Sequence, residues 1–265
     1  MVDSGTYYLP LDFTEREVNI ALIGAGGTGG EVLDGLVRTH FVLKEMGHPG
    51  FNIHLFDFDT VSASNVARTK FSPADIGQNK ALLLAARYNQ FYGMDIKGVP
   101  SAFKVEDSVE YDLVIGATDS AQFRVDLGEF SKECRADVER YGADNECLYL
   151  DLGNDKDTAQ FILGHIYTDK HTLLPNVYDL YGAELEQAAQ KNDNKDSCSL
   201  LEAVDIQSLF INRAVATHAC NMVYTLFKTG KLEGFHGGFL DLQKNELKPL
   251  PIDENVWRFL GFEFA

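Results

Sequence analysis

One stretch of the chain joins a short apolar run to a glycine-rich turn: Val18-Asn19-Ile20-Ala21-Leu22-Ile23-Gly24-Ala25-Gly26-Gly27-Thr28-Gly29-Gly30. The apolar run is short and β-branched, which predicts a buried strand, and helical periodicity follows the glycines. Gly24 allows a tight turn, Gly26 lets backbone amides approach a phosphate or ribose, and Gly29 lets the helix lie close to the strand. With Gly27, these residues form a predicted nucleotide-binding turn, because helix N-termini bind anions.

The alternation of strand and helix continues after this turn. Apolar residues recur at helical spacing as far as Phe41, and Gly47-His48-Pro49-Gly50 ends this first helix. A second strand is expected at residues 51–56. This order predicts an α/β fold with a Rossmann-like, mostly parallel sheet flanked by helices and with antiparallel strands toward the C-terminus.

A second stretch carries polar side chains suited to a nucleotide: Asp57-Phe58-Asp59-Thr60-Val61-Ser62-Ala63-Ser64-Asn65-Val66-Ala67-Arg68. A carboxylate at a strand end, here that of Asp57, can bind both ribose hydroxyls. Asn65, Arg68 and Lys80 are polyphosphate-type donors, which hydride transfer does not require. They therefore indicate a triphosphate and not a nicotinamide. Each residue also has a structural interpretation, since Asp57 can cap a strand and Arg68 can pair with Asp75.

These motifs resemble those of the ThiF/MoeB/HesA family, relatives of ubiquitin-activating enzymes. The resemblance rests on the Asp57–Arg68 stretch and on Asp75-Ile76-Gly77-Gln78-Asn79-Lys80. It continues at Ala117-Thr118-Asp119-Ser120, which is similar to the family's Thr-Asp-Asn segment after the fourth strand. The segments Asp196–Leu200 and Gly237–Leu242 most resemble the ThiF-type proteins of bacterial PRTRC gene systems.

The resemblance implies ATP-dependent adenylation of the C-terminal carboxylate of a small ubiquitin-like or sulfur-carrier protein, with release of pyrophosphate. It implies that Arg68 and Lys80 bind phosphates and that Asp119 holds Mg²⁺, so Arg68 and Asp119 are candidate catalytic residues. A homodimer is also expected. In relatives that dimerise, an N-terminal arginine reaches the partner's nucleotide; Arg16 is the candidate here, although a solvated charge is its preferred interpretation.

Cys198 is a third candidate catalytic residue. In thiocarboxylate-forming and ubiquitin-activating relatives, a cysteine on the mobile crossover loop receives the acyl group, and the polar segment 184–198 is expected to be that loop. A helix N-terminus would favour the Cys198 thiolate. The alternative is a thiol with no chemical role. The four cysteines contain no C-x-x-C pair, unlike those of many relatives, which predicts the absence of structural zinc.

Further elements are expected along the rest of the chain. Residues 1–17 are interpreted as an N-terminal arm or short hairpin. The patterns predict helices at 79–92, 123–138 and 206–227, strands at 96–100, 111–117, 147–152 and 161–167, and a terminal hairpin at 235–242 and 246–251. Because ligands bind at the carboxyl ends of parallel strands, Gly24, Asp57 and Asp119 are expected to converge.

Composition limits the range of functions. The 265 residues are 45% hydrophobic and 24% charged, which suits a single domain spanning 1–265. The 23 basic and 40 acidic residues give a net charge of −17, which disfavours nucleic acid and anionic membranes as partners. The sequence lacks a signal-like N-terminus and a membrane-spanning stretch, so a cytoplasmic protein is expected.

Two other functions remain open. An NAD-dependent oxidoreductase of the Rossmann type would have no use for Asn65, Arg68 and Lys80. A non-catalytic scaffold would bind ATP without exchanging pyrophosphate. Stabilisation by ATP-Mg compared with NAD distinguishes the first alternative.

Overall fold

The computed structural model describes residues 5–66, 69–137, 146–168, 173–191 and 208–263. Its strands are β1 (Thr6–Tyr8), β2 (Val18–Ile23), β3 (Phe51–Phe56), β4 (Lys97–Val99), β5 (Leu113–Gly116), β6 (Cys147–Asn154), β7 (Thr158–Tyr167), β8 (Lys231–Glu233), β9 (Phe235–Asp241) and β10 (Glu246–Pro251). Its α-helices are α1 (Asp12–Glu15), α2 (Gly27–Glu45), α3 (Lys80–Tyr92), α4 (Ala121–Ala136), α5 (Val177–Lys191), α6 (Ile211–Thr229) and α7 (Glu254–Phe259).

Eight strands form the central sheet in the order β10-β9-β7-β6-β5-β2-β3-β4. The strands from β6 to β4 run parallel, whereas β7, β9 and β10 are added antiparallel. Strands β2, β5 and β6 are buried along most of their length, as expected when helices cover both faces of a parallel sheet. This arrangement confirms the fold class predicted from the sequence.

The N-terminal segment differs from the predicted arm or hairpin. Strand β1 pairs antiparallel with β8, more than two hundred residues away in sequence, and the one-turn helix α1 leads from it toward β2. The side chain of Tyr7 is buried, and its hydroxyl donates to the carboxylate of Glu146. Burial of this aromatic residue explains why the segment packs as a strand.

The predicted loop 184–198 is also corrected in part. Residues 184–191 belong to helix α5, and 192–198, including Cys198, lie outside the described residues. Glu, Gln, Ala and Lys are good helix formers, so an exposed helix needs no continuous apolar face to extend through them. Helix α6 begins at Ile211, later than expected, and ends at Thr229, where Gly230 adopts a positive φ of 72°.

Within the described ranges, no helix combines the length and the apolarity that crossing a bilayer requires.

Candidate nucleotide-binding site

A cavity of about 710 Å³ lies where the carboxyl ends of β2, β3 and β5 meet. Strand β2 delivers Gly24 to its wall, β3 delivers Asp57, and β5 delivers Asp119. The structure thus brings together three residues that are widely separated in sequence. The volume is in the range of small-molecule sites, roughly 300–1,000 Å³.

The glycines of the turn have different structural roles: a tight turn, close helix–strand packing, or lining of the cavity. Gly24 has a φ of 96°, and a Cβ there would lie 2.5 Å from the carbonyl oxygen of Ala117. A Cβ on Gly29 would lie 1.8 Å from the carbonyl oxygen of Gly24, so Gly29 serves helix–strand packing and does not line the cavity. Gly26 and Gly27 line the cavity at the N-terminus of α2, and the space around Gly26 is open. The unpaired N–H groups of this helix end can therefore face an anion.

Asp57 is half-buried beside this turn. Its two carboxylate oxygens accept hydrogen bonds from the backbone N–H groups of Ala25 (2.7 Å) and Asp59 (2.8 Å). Burial raises the pKa of Asp57 above its ordinary value, although these hydrogen bonds oppose the shift. A carboxylate has about four acceptor positions, so it can still accept from ribose hydroxyls.

The loop after Asp57 is joined to the start of helix α3 by hydrogen bonds and an ion pair. Lys80 is the first residue of that helix and lines the cavity, and its Nζ lies 3.0 Å from Oδ2 of Asp59. The side chain of Asn79 caps the helix and donates to the backbone carbonyls of Asp57 and Asp59. Asp59 therefore orders the loop and orients Lys80.

Asn65 also lines the cavity, at the end of a 3₁₀ turn. Its Oδ1 accepts from the backbone N–H of Ser62 at 2.9 Å, which leaves its Nδ2 as the atom that can donate to a phosphate. Arg68 lies outside the described residues. Asp75, the alternative partner considered for Arg68, has an ion pair with Arg87 at 2.5 Å.

Asp119 follows β5 and is exposed at the cavity wall. The buried guanidinium of Arg124 donates to the carbonyl oxygens of Thr118 (2.9 Å) and Ser120 (3.4 Å), on either side of Asp119. Arg124 is itself held by Asp151, at 2.7 Å. Sequence reasoning missed Arg124. Its position one turn into the helix after Asp119 could have indicated a side chain that reaches back to the Asp119 loop.

A second group that sequence reasoning missed closes the cavity beside α2. Oδ1 of Asn212 accepts from the Thr28 hydroxyl (2.8 Å) and from Nδ2 of Asn154 (3.1 Å). All three residues line the cavity. Asn212 interrupts the apolar stripe of α6. A polar residue on such a stripe indicates a buried hydrogen bond, and this could have identified Asn212 from the sequence.

Arg16 is partly exposed, but its charge is paired and not free in solvent as the sequence suggested. Its two Nη atoms each lie 2.7 Å from an oxygen of Asp112, and the guanidinium also contacts Asp12. These contacts raise the pKa of Arg16, chiefly through the hydrogen bonds with Asp112. In this conformation Arg16 stabilises its own chain.

The charge of the cavity bears on the ligand. Among the described residues, two lysines and five carboxylates line it: Lys80, Lys104, Asp57, Asp59, Glu106, Asp119 and Asp126. A bare polyphosphate would meet an excess of negative charge there. No cluster of three or more potential metal ligands occurs in the described part of the chain. Magnesium commonly binds through one or two carboxylates plus substrate phosphates, so Asp119 fits it when a nucleotide supplies the other oxygens.

Comparison with known proteins gives a family match over the part of the chain that contains most of this site. The ThiF family model matches residues 14–138. The Nedd8-activating enzyme E1 catalytic subunit of Drosophila melanogaster is 32% identical over 117 residues, covering 42% of this chain and 24% of that protein. The ATP-dependent ubiquitin transferase-like protein Cap2 of Pseudomonas aeruginosa is 32% identical over 111 residues, covering 42% and 20%. The matches thus span a quarter or less of these relatives.

Solved structures show the same fold over most of the chain. MccB of E. coli aligns with a TM-score of 0.57 at 15% identity, covering 91% of this chain and 64% of MccB. PaaA aligns with a TM-score of 0.55 at 15% identity, covering 91% and 75%. The family-model match and the shared fold confirm the resemblance inferred from the sequence: the region 14–138, which contains the glycine turn, Asp57, Lys80 and Asp119, matches the ThiF family.

Proposed function

We propose that this chain adenylates the C-terminal carboxylate of a small ubiquitin-like or sulfur-carrier protein, using ATP and releasing pyrophosphate. The observation that carries the proposal is the convergence of the glycine turn, Asp57, Lys80 and Asp119 around one cavity. The similarity to a Nedd8-activating enzyme and to an ATP-dependent ubiquitin transferase-like protein supports it.

The side chains at the cavity are assigned separate roles in binding the ribose and the phosphates of ATP. Asp57 accepts hydrogen bonds from the ribose hydroxyls, and the N-terminus of α2 faces the phosphates. Lys80 contributes a positive charge that Asp59 orients, and Asn65 contributes an N–H without adding charge. Arg68 is assigned a further phosphate contact from the sequence motif. Together these donors offset the charge that accumulates as the carboxylate approaches the α-phosphorus.

Asp119 would hold Mg²⁺. When bound, the ion neutralises phosphate charge and stabilises the departing pyrophosphate. Arg124 keeps the Asp119 loop in place through hydrogen bonds to Thr118 and Ser120, so the carboxylate needs little reorganisation. The acidic lining of the cavity is consistent with a nucleotide that enters with its metal.

A second cavity of about 550 Å³ supports a protein substrate. It adjoins the first and shares three lining residues with it: Thr118, Asp119 and Asn154. An extended tail in this second cavity can present its terminal carboxylate beside the nucleotide.

Four further features belong to the proposal. They are a subsequent transfer of the acyl group to Cys198, a homodimeric state, a cytoplasmic location and a single domain spanning 1–265.

Ligand-dependent thermal stability is the first test. We expect ATP-Mg to raise the melting temperature more than ATP with chelator, and NAD to have little effect. Pyrophosphate exchange into ATP should appear only when a small protein with a C-terminal glycine is added. Greater stabilisation by NAD would support the oxidoreductase, and ATP binding without exchange for any such protein would support the scaffold.

Two substitutions then test the site, and a third tests the transfer to cysteine. Asp119→Ala and Arg68→Ala should each lower the exchange rate by about 10²-fold or more, as removal of a transition-state charge partner does. Cys198→Ala should retain exchange and lose only a covalent acyl intermediate, detected by mass spectrometry. Exchange that survives both Asp119→Ala and Arg68→Ala would overturn the proposed reaction.

A further inference from the structure

Asn154 lies on the wall that the two cavities share. It is the last residue of β6 and lines both spaces, together with Thr118 and Asp119. A group that reaches from the second cavity toward the first can therefore contact Asn154. Asp119 lines the same wall, so a carboxylate arriving there benefits from a hydrogen-bond donor that offsets its negative charge.

The side chain of Asn154 is oriented by its partners. Nδ2 donates to Oδ1 of Asn212 at 3.1 Å, and Oδ1 of Asn154 lies 3.3 Å from the Thr28 hydroxyl oxygen. An amide nitrogen carries two N–H groups, and one is used here. Within the described residues, the other N–H has no protein acceptor and is left for a ligand.

Asn212 sets this orientation from a different element. It lies at the first turn of α6 and is nearly buried, with 5% of its surface exposed. A Cβ on Gly27 would lie 2.5 Å from Nδ2 of Asn212, so the glycine at the start of α2 is what lets α6 approach so closely. Asn212 thereby joins the start of α6, the end of β6 and the nucleotide turn.

We propose that Asn154 binds the terminal carboxylate of the incoming tail and that Asn212 is the positioning residue that aims it; this rests on the proposed adenylation. One carboxylate oxygen forms the bond to the α-phosphorus, while the bond from that phosphorus to the bridging oxygen breaks and its electron pair leaves with pyrophosphate. No proton is transferred. Asn154 donates its second N–H to the other carboxylate oxygen and so fixes the angle of attack.

The test uses two stable ligands that need no identified partner protein. One is adenosine 5′-sulfamate, and the other is its N-glycylglycyl derivative, a non-reactive analogue of an acyl adenylate. The measured quantity is the ratio of their affinities by calorimetry, compared between the wild-type chain and each variant, so that contacts common to both ligands cancel. In the wild-type chain the acyl ligand should bind at least tenfold tighter.

Asn154→Ala should reduce that ratio by about five- to tenfold, as loss of one hydrogen bond to the acyl oxygen does. The isosteric Asn154→Asp replaces the donor with a charged acceptor and should abolish the advantage. Asn212→Ala should lower the ratio in the same direction, because Asn154 loses its partner. Asn221→Ala, an exposed asparagine on the same helix, is the matched control and should leave the ratio unchanged.

The outcomes separate the two proposals. If the wild-type chain shows no advantage for the acyl ligand, the proposed adenylation fails. If the advantage exists and survives both Asn154→Ala and Asn154→Asp, the role of Asn154 is wrong while the adenylation stands. If Asn212→Ala does not fold, the two Asn154 variants decide the result, since Asn154 is at a partly exposed strand end.

Discussion

We assign the Asp57 carboxylate two roles, one structural and one, as proposed above, in binding the nucleotide. It accepts from the backbone of Ala25 and Asp59, and it faces the nucleotide cavity. We expect Asp57→Asn to weaken ATP-Mg binding by about 10- to 100-fold, since two charged hydrogen bonds to ribose become weaker. Calorimetry with 2′,3′-dideoxy-ATP is the control, because that ligand lacks both hydroxyls. An equal loss for both nucleotides would contradict the ribose contact.

Lys80 should act on the phosphates and not on adenosine. Its Nζ is held by Asp59 at 3.0 Å, and the side chain lines the cavity. Lys80→Ala should lower the affinity for ATP-Mg about tenfold and leave that for adenosine nearly unchanged, because only the phosphates meet the ammonium charge. Isothermal titration of both ligands checks this. Lys80→Met keeps the apolar stem and should behave like alanine; normal ATP binding by it would refute the role.

Strand β1 is held to the rest of the fold by Tyr7. The Tyr7 hydroxyl donates to the buried carboxylate of Glu146, and burial raises the pKa of Tyr7 well above its ordinary value. Tyr7→Phe should lower the free energy of unfolding by about 1–3 kcal/mol, because the carboxylate loses a donor in a dry environment. Urea titration measures this. The neighbouring Tyr8 is 58% exposed, so Tyr8→Phe should have no comparable effect.

The stability of the entire fold should depend on pH through a buried histidine. Nε2 of His236 accepts from the indole of Trp257, and burial lowers the pKa of His236 to about 4. The unfolded chain binds a proton near pH 6.5, whereas the folded chain does not until about pH 4. Stability therefore falls as the pH falls from 6.5, by about 2 kcal/mol between pH 7 and pH 5.

Urea titrations at pH 7 and pH 5 measure this loss. His236→Gln keeps an acceptor for Trp257 and removes the titration, so its stability should change less between the two pH values. The pKa of His40 and that of His54 are also lowered, mainly by burial, and they add to the loss in the same direction. An unaltered pH dependence in His236→Gln would assign the effect to other groups.

The sequence predicted local features well. The apolar runs at 18–23 and 51–56 form strands with the predicted bounds, and helix α3 begins at Lys80 after the Asn79 cap. These features depend on neighbouring residues, whose periodicity and capping are visible in the chain. The prediction was poorer for β1, since its partner β8 is remote in sequence and leaves no local pattern.

The sequences 18–30 and 57–80 by themselves predicted a nucleotide-type turn, an acid at a strand end and candidate phosphate donors, because each motif is short and locally encoded. The folded chain alone decided that Arg124 supports the Asp119 loop, that Asn154 and Asn212 meet beside Gly27, and that Arg16 pairs with Asp112. Each of these contacts joins elements far apart in sequence. Their partners are chosen by packing of the sheet and helices, which no local pattern records.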